Sequence, residues 1–211
     1  MCIIVHKPGG LVLPDIATIK RCWDANPQGA GFMYIKKPLF GPDKLIVEKG
    51  FMSWESFRKR IVKFKNYKEE MCLHFRLASH GSISEDNCHP WQIDDDRALV
   101  HNGIIRWLGD DHATSDSKRF ADILKTFDLQ NEDHARVLEE AIGSYNKVVI
   151  MDPYYGTVFL NRNSGVEDNG IWYSNSGYKQ TLYPITEYRE SSKKVRVNKY
   201  GYFNWLGDNG F

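Results

Sequence analysis

Residues 71–81 read Met71-Cys72-Leu73-His74-Phe75-Arg76-Leu77-Ala78-Ser79-His80-Gly81. Leu73, Phe75 and Leu77 point one way; Cys72, His74, Arg76 and Ala78 point the other. That alternation predicts a strand over 71–78 leading into a polar cluster. On its N-terminal side, Ser53 can cap a helix whose apolar face is Trp54, Phe57, Ile61 and Phe64. Two strands precede it, 31–36 and 45–48, about the turn Gly41-Pro42-Asp43. Earlier still, Pro14-Asp15 opens a helix carrying Ile16, Ile19 and Trp23, stopped by Asn26-Pro27. The chain begins with a short apolar strand, residues 2–6, ended at Pro8-Gly9-Gly10.

On the C-terminal side, residues 97–101 read as a strand. Ser115 or Asp116 begins a helix with Phe120, Ile123, Leu124 and Phe127 on one face, and 132–142 is the next helix. Residues 147–151 and 157–160 form a hairpin about Asp152-Pro153-Tyr154-Tyr155-Gly156, and a Trp172-Tyr173 strand follows. Strands and helices come in clusters, without regular βαβ alternation. That favours a layered α+β fold over a doubly wound sheet.

The chain has 211 residues, 42% hydrophobic and 26% charged, enough for a real core in one large domain or two small ones. A net charge of +1 gives no bulk basic field for nucleic acid. No apolar run approaches the ~18 residues of a membrane span, and no signal sequence is evident. Four cysteines, at 2, 22, 72 and 88, form no CxxC pair. The expectation is a reducing cytoplasm and free thiols.

Three polar clusters stand out: 74–81 followed by Asn87-Cys88-His89-Pro90-Trp91; Val100-His101-Asn102-Gly103; and Thr114-Ser115-Asp116-Ser117. Cys2 stands behind the initiator Met1. Loss of Met1 would leave a thiol nucleophile and a free α-amine on one residue, and an amine of pKa about 7.7–8.0 can serve as base.

With Cys2, these clusters resemble the class II glutamine amidotransferases, which are N-terminal nucleophile hydrolases. That family pairs an N-terminal Cys with a His-x-Arg-x-Ala/Ser-Ser/Thr-His-Gly segment, a His-Pro, a Val-His-Asn-Gly and a Thr/Ser-Asp-Ser/Thr, in this order. All are present here, over residues 2–117. Asn26 to Gly31, Gly143-Ser144-Tyr145 and Tyr173-Ser174-Asn175 fit looser patterns, extending the resemblance to about residue 180.

The resemblance implies a four-layer αββα sandwich in a single domain, 2–211, with a core of about 2–185 and a basic, aromatic extension over about 186–211. Cys2 would be the nucleophile. The Asn102 side chain and the Gly103 backbone N–H would form the oxyanion hole. Arg76 would clamp the α-carboxylate of L-glutamine and Asp116 its α-ammonium. Ser79 and His80 would shape the pocket wall. No cofactor and no metal are implied. The ammonia would go to a separate acceptor-activating enzyme, because the residues beyond about 180 are too few for a second core. Ile3 stands where most members carry Gly, so a side chain is expected to narrow the site beside the sulfur. Leu77 stands where many synthase-linked members have Trp.

Taken singly, each residue has a plainer reading. Arg76 could pair with a surface carboxylate, Asp116 could cap a helix, Asn102-Gly103 could be a hairpin turn, and the histidines could be satisfied interior groups. Cys72, His74, His80, Cys88 and His89 match no standard zinc spacing. Two further functional readings are a hydrolase of another γ-glutamyl amide and a non-catalytic module that binds an amino acid or a partner.

Overall fold

The computed structural model describes residues 2–77, 82–109 and 115–179, and beyond them the backbone of three strands. The chain divides into two compact units, Met1–Gln180 and Thr181–Phe211. In the first unit the elements run β1 (Ile3–Lys7), α1 (Ile16–Ala25), β2 (Ala30–Lys36), β3 (Lys44–Phe51), α2 (Trp54–Ile61) and β4 (Met71–Phe75). Then come β5 (Trp91–Gln92), β6 (Ala98–Asn102), α3 (Asp116–Leu124), α4 (Glu132–Ile142), β7 (Lys147–Met151), β8 (Val158–Leu160), β9 (Val166–Asp168) and β10 (Ile171–Tyr173). The second unit carries β11 (Thr186–Glu190), β12 (Lys193–Val197) and β13 (Phe203–Asn204), paired antiparallel in that order.

The first unit holds two antiparallel sheets, ordered β3-β2-β4-β1-β10-β9 and β5-β6-β7-β8. Alternation along the strands sorts the apolar side chains into three cores. Ile3, Val5, Phe32, Leu73 and Phe75 face Ile19, Trp23 and Phe57 of α1 and α2. Leu99, Val148 and Ile150 face Phe120, Leu124, Leu138 and Ile142 of α3 and α4. Between the sheets, Ile4, Met33, Ile35, Cys72 and Trp172 meet Ala98, Val100, Val149 and Met151. The architecture is α+β, a four-layer αββα sandwich.

Local chemistry sets the helix ends. The Asp15 carboxylate accepts the Thr18 N–H at 2.6 Å and starts α1. Ser53 does the same for α2 through the Ser56 N–H at 3.2 Å, and Ser115 for α3 through Lys118 at 3.3 Å. Asn131 caps α4, which Gly143 ends. Four details differ from the sequence reading. Ile16 is 41% exposed, because the buried face of α1 runs through Ile19, Cys22 and Trp23. β4 stops at Phe75, though the Arg76 N–H still reaches Gly29 O at 2.8 Å. β3 runs on to Phe51, with a register shift opposite Ala30 and Phe32. The short β5 and β9 are additions that their partners' edges create.

Lys7 is fully buried at the far end of β1. Its ammonium donates to Leu11 O at 3.1 Å, to Tyr67 O at 3.2 Å and to Glu69 O. Burial pulls its pKa down to about 8. Nearby, His6 pairs with Glu70 at 2.6 Å, and the Thr157 hydroxyl donates to the same carboxylate at 2.7 Å, tying β1 to the turn before β8. Among the described residues, no helix is long and apolar enough to cross a membrane.

Candidate active site

β1 runs antiparallel to both of its neighbours, so its start lies beside the ends of β4 and β10. Cys2 is half-buried at this edge. Its sulfur accepts the Leu77 N–H at 3.4 Å and lies 3.5 Å from Leu77 O. Burial pushes the thiol pKa up, against the opposing pull of the Leu77 N–H and the Arg76 charge. The resting sulfur is therefore protonated at neutral pH, and any reaction as a thiolate would need a base.

Arg76 is 3% exposed, so it is not a surface ion-pair residue. Asn102 ends β6 on its inner face, and its Nδ2 donates to Ser174 Oγ at 2.8 Å. Gly103 follows with φ 152°, pressed so closely on Asn146 that a Cβ would lie 2.1 Å from Asn146 Oδ1. Only glycine fits this backbone.

Asp116 is the first helical residue of α3; Ser115 is its cap. The buried Asp116 carboxylate accepts the Ile105 N–H at 2.8 Å and the Ser117 N–H at 2.7 Å. It thus braces the loop after Gly103 against α3. Both Arg76 and Asp116 act electrostatically on the Cys2 thiol, with opposite signs. Ile3, expected to narrow the site, instead buries its side chain in the core under α1 and α2. Ser79 and His80 lie outside the described residues, as does Met1.

Three histidines support the site from behind. His74 Nε2–H donates to His101 O at 3.0 Å and so joins the two sheets. The His101 ring meets Ser117 Oγ at 2.8 Å and Asn146 Oδ1 at 2.9 Å. His89 lies against His74, ring centroids 4.0 Å apart. The His89 carbonyl packs on β2 where a Cβ at Gly31 would lie 2.1 Å away, so β2 needs glycine there. Burial lowers all three pKa values, that of His74 to about 3, and the rings are neutral. Among the described residues no group of three His, Cys, Asp or Glu is placed to hold a metal ion.

Three residues outside the expected set belong to this edge: Ser174, Asn175 and Asn146. The sequence signal for the first two is slight, the looser Tyr173-Ser174-Asn175 pattern directly after an apolar strand, and it assigns them no role. Asn146 follows the Gly143 that ends α4, and nothing in the sequence ties it to Gly103.

No protein-family profile matches the chain. A 32-residue segment, 15% of the chain, is 53% identical to a glutamine–fructose-6-phosphate aminotransferase [isomerizing] of Idiomarina loihiensis, of which it covers 5%. The structure aligns over 99% of the chain with a glutamine phosphoribosylpyrophosphate amidotransferase from B. subtilis, solved with ADP and GMP. The TM-score is 0.53, the sequence identity 17%, and the alignment covers 50% of that chain. The present chain therefore spans about half the length of that relative. The two stacked sheets and their helical covers are those of that amidotransferase, a four-layer fold of the N-terminal nucleophile hydrolase type.

Proposed function

We propose that this protein hydrolyses the side-chain amide of L-glutamine through a thioester on Cys2. One observation carries the reading: the Cys2 thiol, the Arg76-Leu77 end of β4 and the Asn102-Gly103 end of β6 meet at one edge of the sandwich. Removal of Met1 frees the Cys2 α-amine, which takes the thiol proton. The sulfur attacks the amide carbon, and the carbonyl electrons move onto oxygen. Asn102 Nδ2–H and Gly103 N–H stabilise that oxyanion, each donor worth about 3–4 kcal/mol. The C–N bond then breaks, the leaving nitrogen takes the proton, and ammonia departs. Water attacks the thioester, releasing glutamate and the Cys2 thiol. Arg76 holds the substrate α-carboxylate and Asp116 its α-ammonium, with Ser79 and His80 along the pocket wall.

The ammonia serves a separate acceptor-activating enzyme in the cytoplasm. The four free thiols support a reducing compartment. Co-purification with a candidate synthase from the same source, lost when residues after 191 are deleted, tests that partner.

Intact mass before and after 6-diazo-5-oxo-L-norleucine, a glutamine mimic that alkylates such nucleophiles, tests the chemistry. Loss of Met1 with one adduct, absent in Cys2→Ala, is the expected outcome. Retained Met1 with no adduct overturns the reading.

A further inference from the structure

Ser174 and Asn175 sit between the nucleophile and the oxyanion donor, and they touch both. Ser174 Oγ accepts the Ile4 N–H at 2.9 Å, and the Ser174 N–H donates to Ile4 O at 3.0 Å. The same Oγ meets Asn102 Nδ2 at 2.8 Å. Asn175 Nδ2 donates to Cys2 O at 2.8 Å, while Asn175 Oδ1 accepts the Gly177 N–H at 2.9 Å. Two consecutive residues therefore pin the backbone just after the thiol-bearing carbon, at Cys2 and at Ile4, and one of them also grips the amide of Asn102. Ser174 is 0% exposed and Asn102 1%, so water does not compete for these bonds.

An asparagine side chain needs such a grip to act as an oxyanion donor. Its amide rotates broadly about the last torsion, and its two ends differ only in whether they donate or accept. A hydroxyl can accept from the N–H end or donate to the C=O end, so Ser174 Oγ fixes the amide plane whichever end it meets. Among the described residues Asn102 Oδ1 is buried with no partner, and the Ser174 contact is the one hydrogen bond that orients this side chain. The Ile4 bond then sets where that contact sits relative to the strand that carries Cys2.

We infer that Ser174 is a positioning residue: its hydroxyl holds the Asn102 amide in register with the Cys2 sulfur, and Asn175 holds the nucleophile's own backbone. The inference rests on the amide-hydrolase reading above and extends it to two residues that do not touch the substrate. Ser174 acts on the transition state through Asn102, so it contributes little to ground-state binding by Arg76 and Asp116.

The test uses the full chain. Wild type and Ser174→Ala are compared for kcat and KM with glutamine, for inhibition by L-glutamate, and for alkylation of Cys2 by iodoacetamide, which needs no oxyanion hole. The expected result is a kcat lower by roughly 10²-fold. KM, the glutamate inhibition constant and the alkylation rate should stay within about threefold of wild type. An unchanged kcat overturns the inference. So does a parallel rise in KM and in the inhibition constant, which would mark general damage to the pocket.

If Ser174→Ala does not fold, the pair Ser174→Thr and Ser174→Val decides. The two share a shape and differ in one hydroxyl, and the Thr variant should turn over roughly 10²-fold faster. Equal rates overturn the inference. A wild-type chain that neither hydrolyses glutamine nor is alkylated by 6-diazo-5-oxo-L-norleucine overturns the hydrolase reading itself, and this one with it. An active wild type with an unaffected Ser174→Ala removes only the role of Ser174.

Discussion

A methyl group on Gly103 would sit 2.1 Å from the Asn146 side-chain oxygen, at a φ of 152° that L side chains rarely adopt. Asn146 cannot easily yield, because His101 is bonded to that oxygen and the Asn146 amide nitrogen is bonded to Ile142 O. Gly103→Ala should therefore lower glutamine turnover by at least about 10²-fold and also lower the melting temperature. Removing the Asn146 side chain relieves the two closest contacts but leaves its Cα at 2.9 Å, so Gly103→Ala with Asn146→Ala should be somewhat more stable than additivity allows, a coupling that a double-mutant cycle of thermal melts measures. Such residue-level dependencies divide sharply in how far they can be read from sequence. The candidates Cys2, Arg76, Asn102, Gly103 and Asp116 could be picked out because the motifs that suggest them are local. Ser174 shows only as part of the looser Tyr173-Ser174-Asn175 pattern: its contact with Ile4 spans 170 positions, and an interaction of that separation leaves no spacing that would assign it a role.

Among the elements, β1 is paired on both sides, with β4 and with β10, and its two ends do different work. One end meets the candidate catalytic groups. At the other, Lys7 gathers three backbone carbonyls from loops that would otherwise bury unpaired acceptors. Lys7→Met keeps the aliphatic stem and removes the ammonium. It should destabilise the protein by about 2 kcal/mol, a drop of roughly 4–8 °C in melting temperature. A variant as stable as wild type would mean that water satisfies those carbonyls unaided. Helices and long strands were legible because each carries a period, 3.6 or 2, and a cap such as Asp15 or Ser53. β5 and β9 were not. Two and three residues are too few to show alternation, and they are strands only because β6 and β10 offer an edge to pair with.

At the scale of the molecule, the layering follows from alternation: β1, β2, β4 and β10 of the large sheet send one set of side chains to the helices and the other to the facing sheet. Three histidines held neutral lie in and behind that interface, and the Arg76 charge further disfavours protonation of His74 and His89. Their pKa values are lowered on folding, so below the unfolded value of about 6.5 the unfolded chain binds protons that the native state refuses. Stability should then fall as pH drops from about 7 towards 5, by up to about 1.4 kcal/mol per pH unit for each histidine. Denaturant melts at pH 7 and 5 measure the slope, and His89→Asn should make it shallower. The acid-side carboxylate effect from Glu70 has the same sign but begins lower, below its unfolded value near 4.5.

The bond from Asn175 to the Cys2 carbonyl and the bond from Ser174 to Ile4 fix the direction from which the polypeptide enters β1. Anything joined to the nitrogen of Cys2 begins one covalent bond from the carbon that bears the thiol-carrying side chain. Under the proposed chemistry, an amino-terminal affinity tag on this protein would be a self-made plug. Purification handles belong at the other terminus, or behind a cleavage site that leaves the cysteine first.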